Sequence, residues 1–214
     1  MSPPKSAPPR LHAGERRQQL LETALDFFSR KGFQGTTTKE IAAAAGVTEA
    51  IVFRHFPSKQ ALYQAVLDNC QQSAEMQEWL AQTRDCMDRG DDAGLLRAIA
   101  MKILETYRRD ARLQRVLLFA ALEGHEHGLA HHRQISIPVY ELLCQYITRR
   151  QSEGKMRAYD SGMILVAIAG MATHFAMMTQ MFGFACDMPD EQVADIFTSI
   201  MMTGIQPKKE RGRK

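Results

Sequence analysis

The segment Met163–Phe184, MILVAIAGMATHFAMMTQMFGF, has polar side chains only at Thr173, His174, Thr179 and Gln180, and it limits the folds open to this 214-residue chain more than any other stretch. Its 22 residues are enough for a helix that crosses a bilayer. Basic anchors do not flank it, however, and it lies between helices of ordinary amphipathic pattern. The reading taken is a helix buried on all faces. In a chain this small, burial on every side suggests a second subunit over one face. No membrane partner is expected.

Elsewhere apolar residues recur at the helical period. Leu20, Leu21, Ala24, Leu25 and Phe28 share one face of a helix expected from Glu15 to Lys31 and closed by Gly32. A helix from Ser58 carries Leu62, Ala65 and Val66 towards Trp79. After a break at Gly90-Asp91-Asp92, Leu96, Ile99, Ile103 and Tyr107 are in step. Leu113, Val116, Leu117, Ala120 and Ala121 follow, ending near Gly124. Val139, Leu142, Leu143, Tyr146 and Ile147 repeat the series, with Pro138 expected in that helix's first turn and Gly154 as its stop. Val193, Ile196, Phe197, Ile200 and Met201 mark the last helix. No useful run alternates with period two, so the fold class is all-α.

Between Thr36 and Lys59, TTTKEIAAAAGVTEAIVFRHFPSK, two short helices are expected around a tight turn. Thr37 can cap the first, and Glu40 three residues on completes a capping box. Ile41, Ala42 and Ala45 form its apolar stripe, and Gly46 stops it where a left-handed residue is cheap. Thr48 caps the second, Val52 and Phe56 serve packing, and Pro57-Ser58 ends it. This is a helix-turn-helix layout, whose second helix fits a major groove. The exposed side of that helix offers Thr48, Glu49, Ala50, Phe53 and Arg54. Arg54 suits a guanine edge or a phosphate, Ala50 a thymine methyl and Glu49 a cytosine amino group. Thr36, Thr37 and Thr38 are hydroxyl donors at the mouth of the first helix. Lys59 stands where an ammonium and free backbone amides could grip one phosphate.

Charge supports that direction. Residues 1–60 hold nine Lys/Arg against five Asp/Glu, and the tail from Gln206 holds five against one, although the whole chain is only +3. The body between is therefore acidic, and a basic end beside an acidic body suits docking on a polyanion.

From Gly14 to Cys70 the chain resembles the N-terminal domain of TetR-family (TetR/AcrR-type) transcriptional regulators. Ala24, Phe28, Gly32, Phe33, Thr36, Thr37, Ile41, Ala42, Ala45, Gly46, Val47, Phe53, His55, Phe56 and Lys59 carry the likeness, in order and at uninterrupted spacing. The family usually has tyrosine where this chain has Phe53, so the aromatic contact is kept and the hydroxyl's backbone contact is lost. His55 matches a histidine that approaches a phosphate. The resemblance implies a three-helix DNA-binding domain over 14–74 and a larger helical ligand-binding and dimerisation domain over 75–205. An arm at 1–13, expected to be disordered, and a basic tail at 206–214 flank them. It implies a homodimer joined through the last two helices, bound to a palindromic operator on double-stranded DNA and released by a small hydrophobic ligand, most simply as a repressor. Interface candidates are Ile168, Met181, Val193, Phe197 and Ile200. Pocket candidates are Tyr107, Phe119, Met171, His174, Phe175 and Met178, with Met163, Met177 and Met181 nearby as adaptable fill.

The run EGHEHGLAHH at 123–132 raises a metal site. On a helix His125 and His127 diverge, so a surface turn is the reading taken and no metal or cofactor is expected. Phosphate-binding glycine loops, zinc-protease helices and nucleophile elbows are absent, which argues against an enzyme. Cys70, Cys86, Cys144 and Cys186 have no CxxC spacing and read as reduced thiols in a cytoplasmic protein. The amino terminus lacks the apolar core of a secretory signal. The alternative is a helical ligand-binding or metal-dependent protein without DNA-binding activity.

Overall fold

The computed structural model describes residues 12–71 and 74–207, and the expected arm at 1–13 and tail at 206–214 fall almost wholly outside them. The described chain is helical, without strands: α1 Ala13–Lys31, α2 Thr38–Ala44, α3 Glu49–His55, α4 Lys59–Gln71, α5 Ala74–Arg89, α6 Asp92–Arg109, α7 Arg112–Leu122, α8 Glu126–Ser152, α9 Ser161–Gln180 and α10 Asp190–Ile205. Two compact units result. One holds residues up to Cys70 together with Arg112–His131, and the other holds Gln71–Ala111 and the chain from His132 onward. Residues 112–131, placed in the large domain from sequence, therefore pack with the first unit.

In the first unit α1 lays Leu20, Leu21, Ala24, Leu25 and Phe28 on Ile41 and Ala42 of α2, Val52 of α3, Leu62, Tyr63, Val66 and Leu67 of α4, and Val116 of α7. Each such aliphatic side chain contributes about 1.5–3 kcal/mol on burial, enough to order three short helices that would not persist alone. The Phe28 ring meets Tyr63 edge-on at 5.0 Å.

The second unit is built around α6, whose Leu95, Leu96, Ile99, Ala100, Leu104 and Tyr107 share a core with Ile164, Leu165, Ile168 and Ala172 of α9 and Val193 and Ala194 of α10. Asp91 caps α6 by accepting from Gly94 N at 2.8 Å. Asp92 then accepts from the Tyr146 hydroxyl at 2.5 Å and from Arg150 at 2.8 and 3.0 Å. Burial and that carboxylate push the Tyr146 phenol well above its ordinary value. Arg108 of α6 grips Asp190, the first residue of α10, with two bonds of 2.6 Å.

One expectation changes. Pro138 lies inside α8, because the helix begins at Glu126 and runs through the histidine-rich stretch. The Pro138 nitrogen has no hydrogen to donate, and one rung of that helix is missing there. Of the helix expected from Ser58 towards Trp79, Lys59–Gln71 and the stretch from Ala74 are helical, and 72–73 lie outside the described residues. Within the single chain α9 is covered on one side and bare on the other. Ile164, Leu165, Ile168, Ala172 and Ala176 are buried, whereas Met163 and Val166 are 62% and 53% exposed.

Candidate nucleic-acid interface

The capping box of α2 forms as its spacing requires. Thr37 Oγ1 accepts from Glu40 N at 3.2 Å, and the Glu40 carboxylate accepts from Thr37 N at 2.9 Å and Thr37 Oγ1 at 2.8 Å. Lys31 adds an ion pair at 2.7 Å. Lys31 and then Thr37 draw the Glu40 carboxyl down from the usual 4.5 to about 2. Gly46, at φ +67°, makes the turn, and Val47 N bonds back to Ala42 O at 2.9 Å. Thr48 occupies the N-cap of α3 but makes no side-chain cap bond there. Ser58 takes that role for α4, accepting from Ala61 N at 3.0 Å.

This scaffold turns one face of α3 inward and the other outward. Val52 is fully buried, while Ala50, Phe53 and Arg54, spaced as helix neighbours, are exposed, Phe53 by 44%. Thr37 and Thr48 are also exposed. Arg54 has no ion-pair partner among the described residues, nor have Arg16, Arg17 and Lys39; Lys39, exposed on α2, was not picked out from sequence. His55 is half-buried, and its Nε2 has no hydrogen-bond partner in the chain. Burial first, then the charges of Arg54, Arg17 and Arg16, lowers its pKa below the usual 6.5. The charges of all three arginines are thus felt at one imidazole as a positive field.

Other candidates are spent inside the fold. Thr36 is fully buried and donates its hydroxyl to Gly32 O at 2.8 Å, so it is not an exposed donor at the helix mouth. Thr38 is buried and donates to Glu49 Oε1 at 2.5 Å, which also draws Glu49 towards α2. Lys59 donates to Phe33 O at 2.8 Å and Thr36 O at 2.9 Å, with its ammonium 4.2 Å from the centre of the Phe33 ring. It fastens the α1–α2 turn to α4 instead of standing free.

The candidate pocket residues are divided between the two units. Phe119 lies on α7 in the first unit, near Gly32. The other five, Tyr107, Met171, His174, Phe175 and Met178, belong to the second unit, where His174 is exposed. A cleft of about 550 Å³ in that unit is lined instead by Trp79, Met101, Lys102 and Arg109 with Glu75, Glu78 and Glu105. Burial, then Arg109, lowers the Lys102 pKa. Among the interface candidates Ile168 and Val193 face the protomer's own core, Phe197 packs edge-on against Phe175 at 6.0 Å, Met181 is half-buried, and Ile200 is 57% exposed. The outward stripe runs through Met163, Val166, Ala167 and Gly170 of α9 and Ile196 and Ile200 of α10. No cluster of metal-ligating side chains occurs among the described residues; the side chains of His127, His131 and His132 fall outside them.

Residues 20–66 match the family model of bacterial regulatory proteins of the tetR family. The chain is 34% identical over 104 residues to the HTH-type transcriptional regulator TtgR of Pseudomonas putida, covering 49% of this chain and 48% of TtgR. It is 29% identical over 167 residues to the nucleoid occlusion factor SlmA of Pasteurella multocida, covering 75% of this chain and 81% of that protein. Among solved structures, AibR in complex with isovaleryl coenzyme A and operator DNA superposes with a TM-score of 0.64 at 20% identity, over 86% of this chain and 97% of AibR. That last likeness is one of fold. The chain spans about half the length of TtgR. These relatives are regulatory proteins and not enzymes. Over residues 20–66 the chain is thus similar in sequence to bacterial regulatory proteins of the tetR family, and its helical fold is shared with AibR over 86% of this chain.

Proposed function

We propose that the chain is a homodimeric, cytoplasmic DNA-binding regulator, acting as a repressor on a palindromic operator and released by a small molecule. The observation that carries the DNA reading is the exposed face of α3, with Ala50, Phe53 and Arg54 outward beside unneutralised Arg16 and Arg17. Arg54 is the reading or phosphate-binding cation, and Ala50 and Phe53 supply apolar contact to base edges and sugar. His55, next to Arg54 on α3, has a buried Nε2 without a partner in the chain. Thr37, Thr48 and Lys39 surround the exposed face as backbone contacts, while Thr36, Thr38, Glu49 and Lys59 hold the reading helix in place from within.

The bare stripe on α9 and α10 supports dimerisation. Met163, Val166 and Ile200 are each more than half exposed in the single chain, and a second copy would remove them from water. Two reading helices then address two half-sites. The effector is assigned to the second unit. A cleft lined by Trp79 and Met101 with charged residues of both signs favours an amphipathic molecule over a purely hydrophobic one.

Selection from a pool of random-sequence duplexes tests the reading. Enriched sequences with two-fold symmetry are expected, bound with an affinity that falls steeply with salt, by about 0.9 in log units per log unit of salt for each phosphate neutralised. Failure to enrich any sequence contradicts it.

A further inference from the structure

The turn between α7 and α8, Glu123-Gly124-His125, reaches across the first unit to the α1–α2 turn. The Glu123 carboxylate accepts from Phe33 N at 3.0 Å and from Gln34 N at 3.3 Å, and the Gln34 side chain returns a bond to Glu123 O at 3.5 Å. It sits in a notch that only glycine leaves open, since a Cβ on Gly32 would lie 2.0 Å from Glu123 Oε1. Gly32 is also at φ +72°.

His125 continues the contact. Its ring lies 4.2 Å from that of Phe33 and meets Tyr63 edge-on at 4.9 Å. Gly128 N donates to its Nδ1 at 3.2 Å, so Nε2 carries the proton and donates to Gln60 Oε1 at 3.2 Å. A Cβ on Gly128 would strike both His125 and Tyr63. Phe33 is thus held by Glu123 at its amide, by Lys59 at its carbonyl, and by His125 and Lys59 at its ring. The burial of Tyr63, with Glu123 nearby, raises its phenol to about 12.

We propose that Glu123 and His125 are positioning residues for DNA reading: they fix the α1–α2 turn and the first turn of α4, the two supports between which α2 and α3 are hung. Neither touches DNA. The role rests on the DNA-binding reading above. It also gives the histidine-rich run a use other than a metal site, at least for its first histidine.

The test uses the full chain, with a duplex that the wild type selects from a random pool as probe. Glu123→Ala is expected to speed amide exchange at Phe33 and Gln34 and to raise the Kd for that duplex about tenfold, the loss typical of charge-assisted bonds. The slope of log Kd against log salt stays unchanged, because no phosphate contact is removed. Glu123→Gln, which keeps an acceptor oxygen, is expected to recover most of the affinity and most of the protection. His125→Ala is expected to weaken binding in the same way without changing the slope. Should Glu123→Ala lower the melting temperature yet bind within twofold of wild type while fully folded, the residue is structural only and the proposal is overturned. A reduced salt slope would overturn it too, by showing direct contact. If the wild-type chain selects no duplex, the DNA reading itself fails, and the positioning role falls with it.

Discussion

The helix pairs α2/α3 and α9/α10 solve opposite problems. In α2/α3 nearly every polar group near the core finds a partner in its own chain: Thr37 with Glu40, Thr36 with Gly32, Thr38 with Glu49, and Lys59 with two carbonyls. What it leaves outside includes Lys39 and Arg54, without ion-pair partners among the described residues. In α9/α10 the inner face is buried, yet a stripe of Met163, Val166, Ile196 and Ile200 stays in water. The first pair is complete as a fold and unsatisfied as an electrostatic surface. The second leaves an apolar stripe uncovered within the single chain. They differ in what each leaves exposed, cationic side chains in one case and an apolar stripe in the other.

Removing the packing that completes the first pair gives the largest expected effect. Phe28→Ala empties a fully buried position and is expected to cost about 3–5 kcal/mol. Unfolding followed by hydrogen exchange should show the first unit opening while amides of α6 stay protected.

Next, Ile200→Asp places a charge on the bare stripe. It is expected to weaken self-association by at least the 1.5–3 kcal/mol of one buried aliphatic side chain, roughly tenfold to a hundredfold. Sedimentation across a concentration series reads this, and helicity measured by circular dichroism should stay at wild-type level because the position is outside the protomer core. Ile168→Asp is the contrasting variant: buried within the chain, it should unfold the second unit and not merely split a dimer.

Arg54→Ala sharpens the other half of the contrast. It is expected to cost about 1–3 kcal/mol of DNA affinity, and to reduce the salt slope by about 0.9 if the partner is a phosphate, leaving it unchanged if the partner is a base. Self-association should not move.

The smallest effects concern protons. Glu40 falls from the usual 4.5 to about 2 in the fold, so its capping stabilises α2 fully above pH 4.5, and the benefit is lost as pH drops towards 2. Thr37→Ala is expected to cost about 0.5–2 kcal/mol at neutral pH and to flatten that acid dependence in urea melts. Burial and three arginines lower the His55 pKa, so a phosphate drawn to those arginines should raise it again and favour proton uptake on binding. Calorimetry near pH 6 in buffers of different ionisation enthalpy should detect the uptake, and His55→Asn should abolish it.

The same contrast explains what could be read from the sequence. The signals for α2/α3 are local: a threonine and a glutamate three residues apart, a glycine at the turn and a buried valine. Each is a short-range rule, and each element formed where it was expected. The inward placement of Thr36, Thr38 and Lys59 was not legible, since it depends on Gly32, Phe33 and Glu49 meeting them in space. Glu123 lies 90 residues from Phe33, and no periodicity connects them. For α9 the difficulty is different. A helix apolar all round has no polar face to set its phase, so Ile168 read as an interface residue although it is fully buried inside the protomer. Its neighbour Val166 points outward. Pro138 misled for a related reason, because a proline-based start outweighed the continuous helix that runs on either side of it.

Hydroxyl-radical footprinting of the full chain on a selected duplex, with Arg54→Ala alongside, tests the central claim that paired α3 helices read DNA. The expected result is two protected patches related by two-fold symmetry and about one helical turn or more apart, both lost together in the variant. A single asymmetric patch, or protection that survives the loss of Arg54 unaltered, would contradict it.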